Sequence, residues 1–250
     1  MYSSTIPENN MTDIHMHLVP GVDDGAESLD MALDMIWRAR LQGITAIFAT
    51  PHGDAFRRSP ERPRIRFESL KNAAAECFPD VKLYPGCEIY CEVEQMDRIA
   101  EELDSGLYPT LNGTSFVLVE FSAWVDPDRT LPCLEKLVSR GYTPVVAHME
   151  RYVYLQDNMD LVNRFREAGA RIQINAYSLF DEDNTGIRNW ARRLVLERKA
   201  DFLGTDAHRT YHRPPSAKYG LEWLYENVER DYADEITFRN AATLLCGRNG

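Results

Sequence analysis

The chain has 250 residues, 44% of them hydrophobic, and a formal net charge of −11. That length fits one barrel-sized domain or two smaller ones, and the apolar share belongs to a folded globular chain, not a disordered one. The acidity argues against general binding to nucleic-acid backbones; no run approaches the roughly 18 apolar residues of a membrane span, and the opening MYSSTIPENN lacks the basic start and apolar stretch of a secretory signal.

Five cysteines, Cys77, Cys87, Cys91, Cys133 and Cys246, form no CxxC pair. An odd number without such pairs argues against a disulfide framework and fits the reducing cytoplasm. No repeat, low-complexity tract or composition break marks a linker, so residues 12–250 are expected to form one domain behind an N-terminal extension, 1–11.

In chain order, the first expected strand covers 12–18 and carries His15 and His17, followed by the paired Asp23 and Asp24. A helix is expected over 28–43, where Leu29, Leu33, Ile36 and Ala39 keep a three-to-four spacing and Gly43 closes the element. The strand ITAIFA at 44–49 runs into Thr50-Pro51-His52. Further strands are expected at 81–87, 116–121, 143–147, 171–175 and 201–205. The expected helices cover 60–77, 93–104, 128–140, 158–169, 184–198, 216–228 and 234–246. Seven strands alternating with helices imply parallel βαβ units, either in a seven-stranded relative of the eightfold barrel or in an open doubly wound sheet.

The ends of the strands separate these two architectures. They deliver, in order, His15 and His17, His52, Glu88, Glu120, His148, Asn175, and Asp206 with His208. A closed barrel gathers all its carboxyl-terminal strand ends on one face, whereas an open sheet gathers only those at its switch point. The polar pattern therefore favours the barrel. Five of the six histidines fall in these places.

Residues i and i+2 of a strand share a face, so His15 and His17 can grip one ion. With Asp24 from the following loop, the candidate ligands are His15, His17, Asp24, His52, Glu88, Glu120, His148, Asp206 and His208. Imidazoles and carboxylates without thiolates suit Mn²⁺, Fe²⁺ or Zn²⁺. Nine ligands exceed the needs of one ion and suit two or three, and burying so many ionisable groups without cations would be costly. One such histidine alone would more often be an ordinary hydrogen-bonded core residue.

The string DIHMHLVPGVDDG resembles the opening motif of the PHP (polymerase and histidinol phosphatase) family. With ATPH, GCEIY, YPTLNGTSFVLVEFS, VVAHMERY, IQINAYSL and GTDAHRTYHRPP, the chain is similar to its branch of bacterial protein-tyrosine phosphatases associated with capsule and exopolysaccharide tyrosine kinases. The resemblance implies a distorted (β/α)7 TIM-like barrel of the PHP type and three divalent metal ions, with Mn the first choice. By position, it implies that His15, His17, Glu88 and Asp206 hold one ion. Glu88 would bridge to a second with Glu120 and His148, and Asp24, His52 and His208 would serve the third.

Arg151 and Arg213 follow His148 and His208 closely. Their planar forks match phosphate oxygens, and the resemblance implies that they hold the substrate phosphate. Asn175 is expected only to hydrogen-bond at the barrel mouth, and His212 to be a solvated loop residue. No cysteine has an arginine six positions later, so a cysteine-based phosphatase loop is absent. The expected chemistry is direct attack of a metal-activated hydroxide on the phosphotyrosine of a protein, such as the tail of a polysaccharide-biosynthesis tyrosine kinase. Hydrolysis of a small phosphomonoester such as histidinol phosphate, or of a phosphodiester, stays open on the same site; the complete ligand set argues against a non-catalytic binding module. The stretch RRSPERPRIR at 57–66, read as a loop, brings five arginines next to His52. It is either a patch that attracts an acidic, phosphorylated tail or simply a solvated loop.

Overall fold

The computed structural model describes residues 11–124 and 126–246; the expected extension over 1–11 lies, apart from Met11, outside the described residues. Among the described residues there are eight strands: β1 (Met11–Met16), β2 (Ile44–Ala49), β3 (Lys82–Pro85), β4 (Glu88–Tyr90), β5 (Phe116–Glu120), β6 (Thr143–Val146), β7 (Arg171–Asn175) and β8 (Phe202–Gly204). All pair in parallel, as a three-stranded sheet β1-β2-β3 and a five-stranded sheet β4-β5-β6-β7-β8.

β3 falls within the third expected strand, 81–87; the chain breaks at Gly86-Cys87 and resumes as β4, beyond the expected end. At the break the chain keeps its bonds to β2 and the residues after it: Gly86 N–H donates to Ala49 O at 3.0 Å and Glu88 N–H to Pro51 O at 3.1 Å. A Cβ on Gly86 would lie 2.8 Å from Leu111 and 2.9 Å from Thr50, so only glycine fits the kink. An isolated bridge between His52 and Glu88 joins the sheets there. At the other edge, Asp206 N–H donates to His15 O at 2.8 Å and His17 N–H to Ala207 O at 2.9 Å. The strands thus follow a ring, and the architecture is a distorted (β/α)7 barrel, not an open sheet.

Around the ring run α1 (Leu29–Arg40), α2 (Gly53–Arg58), α3 (Glu61–Cys77), α4 (Met96–Asp104), α5 (Pro127–Ser139), α6 (Met159–Glu167), α7 (Thr185–Leu196), α8 (Lys218–Asn227), α9 (Arg230–Asp234) and α10 (Ala242–Leu245). Side chains start four of them: Ser28 accepts from Met31 N–H, Asp126 from Asp128 N–H, Asn158 from Leu161 N–H and Asn184 from Ile187 N–H. The buried stripe of α1 is Ala32, Met35, Ile36 and Ala39. The expected Leu29 is exposed and Leu33 only half-buried, because both sit on the flank of that stripe.

Two expectations change. The stretch 57–66 is not a loop: α2 runs through Arg58 and α3 starts at Glu61. The helix expected over 234–246 is broken into α9, a π-turn at Glu235–Arg239, and α10. In the π-turn Thr237 Oγ1 donates back to Ala233 O at 2.7 Å, and Asn240 Nδ2 donates to Asp201 O at 2.9 Å, anchoring the segment to the end of the barrel opposite the strand tips.

Most apolar residues fill the layer between strands and helices. A smaller cluster takes Ile14, Phe48, Leu118, Val145 and Phe202 from five strands and adds Leu111, Ala241 and Leu244. It forms an apolar floor within the ring. β1 has a register shift between Asp13 and Met16. That shift lets Ile14 join the floor while His15 and His17 both face the mouth.

A candidate metal centre at the barrel mouth

His15 of β1 and His17, one residue past its end, are buried with their Nε2 atoms 3.2 Å apart. His15 Nδ1 donates to Gln173 Oε1 at 3.2 Å, and His17 Nδ1 donates to Asp23 Oδ2 at 2.9 Å. With Nδ1 carrying the proton in each neutral ring, both Nε2 lone pairs point at the same spot. Glu88 Oε1 lies 3.2 Å from His15 Nε2 and Glu88 Oε2 3.2 Å from His17 Nε2; Asp206 Oδ1 follows at 3.5 and 3.6 Å. Asp206 Oδ1 is buried and has no hydrogen-bond donor. Acceptors face acceptors, so a proton or a cation has to sit among them.

Glu88, at the start of β4 just after the break, occupies the middle. Its Oε1 is 3.1 Å from His148 Nε2, which also lies 3.5 Å from Glu120 Oε1. Its Oε2 is 3.1 Å from His52 Nδ1. On the outer side, Asp24 Oδ1 lies 3.2 Å from His52 Nε2 and 3.5 Å from His208 Nε2. Four groupings could each hold an ion: His15, His17 and Asp206; His15, Glu88 and His148; His52, Glu88 and Glu120; and His17, Asp24, His52 and His208. Together they contain all nine residues expected from the sequence.

The charges reflect this crowding. Burial would raise Glu88, but the attraction of His15 and the bonds from His148, His15 and His17 outweigh it and hold the carboxyl well below its usual range. Asp206 is held low in the same way against its burial, by His15, His17, His148 and Arg151. Glu120 moves up through burial and the neighbouring Glu88. Burial pulls His17 down, yet Asp206, Asp23 and Glu88 lift it well above the ordinary imidazole range. His208 goes the other way, to about 3, through burial and the nearby His17. A divalent cation supplies the positive charge that this set of oxygens and imidazoles otherwise draws from protons, so the residues fit metal ions.

Arg151 and Arg213 converge on one atom. Arg151 Nη1 donates to Asp206 Oδ2 at 2.5 Å, and Arg213 Nη2 donates to the same oxygen. Arg213 Nη1 also donates to His208 Nε2 at 3.1 Å. Both guanidiniums are only part-buried, so further donors face the mouth. His148, Asp206 and Arg213 all have φ in the left-handed region, at 33°, 54° and 52°. Non-glycine residues there carry strain of order 1 kcal/mol, which clusters at functional sites.

Four supporting residues had no role in the sequence reading. Asp13 accepts from His15 N–H at 3.0 Å and from the Thr205 hydroxyl at 2.6 Å, tying β1 to the end of β8; burial pushes its carboxyl up to about 6. Asp23 orients His17. Gln173 accepts from both His15 and, at 2.8 Å, His148 N–H. Glu150 is fully buried beside Arg151 and accepts from the Ser178 hydroxyl at 2.7 Å. A charged residue inside an apolar strand flags Asp13, and the paired aspartates six residues past His17 flag Asp23; Gln173 and Glu150 are visible only once distant strands meet. Asn175, fully buried, donates from Nδ2 to Asp206 Oδ2 at 3.5 Å, and His212 is exposed.

The profile of the family described as capsular polysaccharide synthesis, CpsB/CapC, matches residues 11–246. Tyrosine-protein phosphatase YwqE of Bacillus subtilis is 32% identical over 243 residues, covering 94% of this chain and 91% of its own. Tyrosine-protein phosphatase CpsB of Streptococcus agalactiae is 29% identical over 242 residues, covering 94% and 98%. A crystal structure from the pair YwqE of Bacillus subtilis and CpsB of Streptococcus pneumoniae, described as unique metal-dependent tyrosine phosphatases, superposes with a TM-score of 0.81 at 28% identity, over 92% of this chain and 95% of its own.

Proposed function

The chain belongs to the CpsB/CapC capsular polysaccharide synthesis family, and from that footing we propose that it is a metal-dependent protein-tyrosine phosphatase. The observation that carries the reading is the convergence of nine metal-capable side chains with two arginines at one barrel mouth. In this reading His15, His17, Glu88 and Asp206 would hold a first ion, Glu88, Glu120 and His148 a second, and Asp24, His52 and His208 a third, with Mn²⁺ preferred over Fe²⁺ or Zn²⁺. Such ions supply Lewis acidity toward phosphoryl oxygens and make water acidic enough to act as a nucleophile near neutral pH.

The chain's own residues do the rest. Arg151 and Arg213 grip the phosphoryl oxygens with forked donors and counter the charge that builds there. Asp23 and Gln173 keep the His17 and His15 lone pairs turned inward. A thiol nucleophile is disfavoured: Cys87, next to Glu88, is buried and its thiol is pushed well above the ordinary range, chiefly by burial. Phenolate leaves with a pKa near ~10, so it needs less protonation than an alkoxide, and this suits a mouth whose carboxylates are engaged with histidines and arginines.

As substrate we take a phosphotyrosine protein, a capsule-biosynthesis tyrosine kinase in first place. The five free cysteines support a cytoplasmic setting. Among the described residues no helix is long and apolar enough to cross a membrane.

The test is metal-stripped protein reloaded with Mn²⁺, with kcat/KM compared on a phosphotyrosine peptide, a phosphoserine peptide and histidinol phosphate. Preference for phosphotyrosine that a chelator abolishes is expected. Preference for histidinol phosphate would replace the reading with small-molecule phosphatase chemistry.

A further inference from the structure

The arginines of α2 and α3 are not equivalent. Arg57 is held by Glu102 at 2.7 Å, Arg64 by the carbonyls of Gly106 and Leu107, and Arg66 by the carbonyl of Pro20. Arg58 and Arg62 each give one Nη2 bond to a backbone carbonyl, of Val22 at 3.0 Å and Gly21 at 2.9 Å, and differ from the other three in being exposed, not half-buried. Both are exposed, and among the described residues neither pairs with a carboxylate. A guanidinium has five N–H donors, so most of theirs are free.

Both side chains line a cavity of about 700 Å³ whose wall also includes Asp23, Asp24 and His52. The cavity therefore opens directly onto the metal-capable mouth. Its other acids are spoken for: Glu27 pairs with Arg209 at 2.6 Å, and Asp54 faces Arg57 at 3.8 Å. What remains beside the mouth is a pair of unpaired cations.

Resting on the phosphatase reading, we infer that Arg58 and Arg62 form a subsite for a second anion of the same peptide, a carboxylate or phosphoryl group close to the phosphotyrosine. The two arginines make the enzyme select acidic or multiply phosphorylated segments, while Arg151 and Arg213 hold the phosphate to be cleaved. Their bonds to Gly21 and Val22 fix them in place next to the loop that carries Asp23 and Asp24.

The test uses Mn²⁺-loaded protein and fluorescent peptides carrying non-hydrolysable phosphonomethyl-phenylalanine, flanked on both sides by two glutamates or by two glutamines. Wild type is expected to bind the glutamate peptide about fivefold more tightly, an advantage that added salt weakens. Arg58→Gln with Arg62→Gln keeps an amide donor but not the charge and is expected to bring the Kd ratio to about one; Arg58→Lys with Arg62→Lys is expected to keep most of it. A ratio unchanged in the glutamine variant, or a ratio of one in wild type, overturns the subsite. If the double variant lacks the native circular-dichroism spectrum, the two single substitutions carry the comparison. Turnover of the glutamine-flanked phosphotyrosine peptide by wild type is measured in parallel: its absence removes the phosphatase reading, whereas its presence with equal Kd values removes only the subsite.

Discussion

The imidazole of His17 donates from Nδ1 to Asp23, 2.9 Å away, and Asp23 also accepts the backbone N–H groups of Gly25 and His52, each at 3.0 Å. One carboxylate thus fixes the tautomer of a candidate ligand and the path of two segments that carry others. Burial would raise this carboxyl, but the His17 bond and charge and the two backbone donors hold it below the usual range. Asp23→Asn removes that charge and weakens the preference for the inward lone pair. Metal affinity is expected to fall about 10–100-fold, read by competition with a chromogenic chelator. Unchanged affinity would mean that something other than Asp23 orients His17.

Glu88 touches His15, His17, His52 and His148. Among the described residues no other carboxylate reaches so many of the candidate ligands. Glu88→Gln keeps the volume and drops the charge, so more than one ion should be lost by elemental analysis, and turnover with them. Metals that bind only the native state raise its stability, by about 2.7 kcal/mol at a hundredfold excess over Kd. Chelation is therefore expected to lower the Tm of wild type by several degrees and to leave Glu88→Gln nearly unmoved. An equal drop in both would take the bridging role from Glu88.

Much of this was readable in advance, for a physical reason. Strand ends of a barrel converge, so the residue type at each end reports on one shared site, and His15, His52, Glu88, Glu120, His148 and Asp206 could be collected without knowing a single distance. Hydrophobic period placed α1 and α3 to α8 to within a few residues. What escaped the sequence depends on contacts between remote segments. Gln173 serves His15 from 158 residues away. The arginines of 57–66 read as a solvated charged loop because nothing local shows that carbonyls at Pro20, Gly21, Val22 and Gly106 receive them. The π-turn at Glu235–Arg239 follows from its anchor at Asp201, equally invisible in the local pattern.

Arg151 and Arg213 share one oxygen of Asp206, so their geometry, not only their charge, is set by the site. Arg151→Lys preserves the charge but not the fork. We expect kcat/KM on a phosphotyrosine peptide to fall about 10²-fold with bound metal unchanged. Loss of metal together with activity would instead make Arg151 a structural support for Asp206.

The thiols offer an independent check on the packing. Burial raises Cys87 and Cys91 far above the ordinary thiol range and lifts Cys133 to about 11. A raised thiol pKa means less thiolate, so at pH 8 about one part in a thousand of Cys133 is ionised, and the thiolate is the reactive form. Cys77 and Cys246 are exposed. A thiol reagent at pH 8 is therefore expected to modify two cysteines quickly in the native protein and five under denaturant. Because α5 carries Cys133, the strand break Cys87 and the residue after β4 Cys91, fast labelling of a third thiol would identify which of these three places opens. Labelling of Cys87 in particular would mean that the kink presenting Glu88 is not closed, and the metal centre built around it would have to be redrawn.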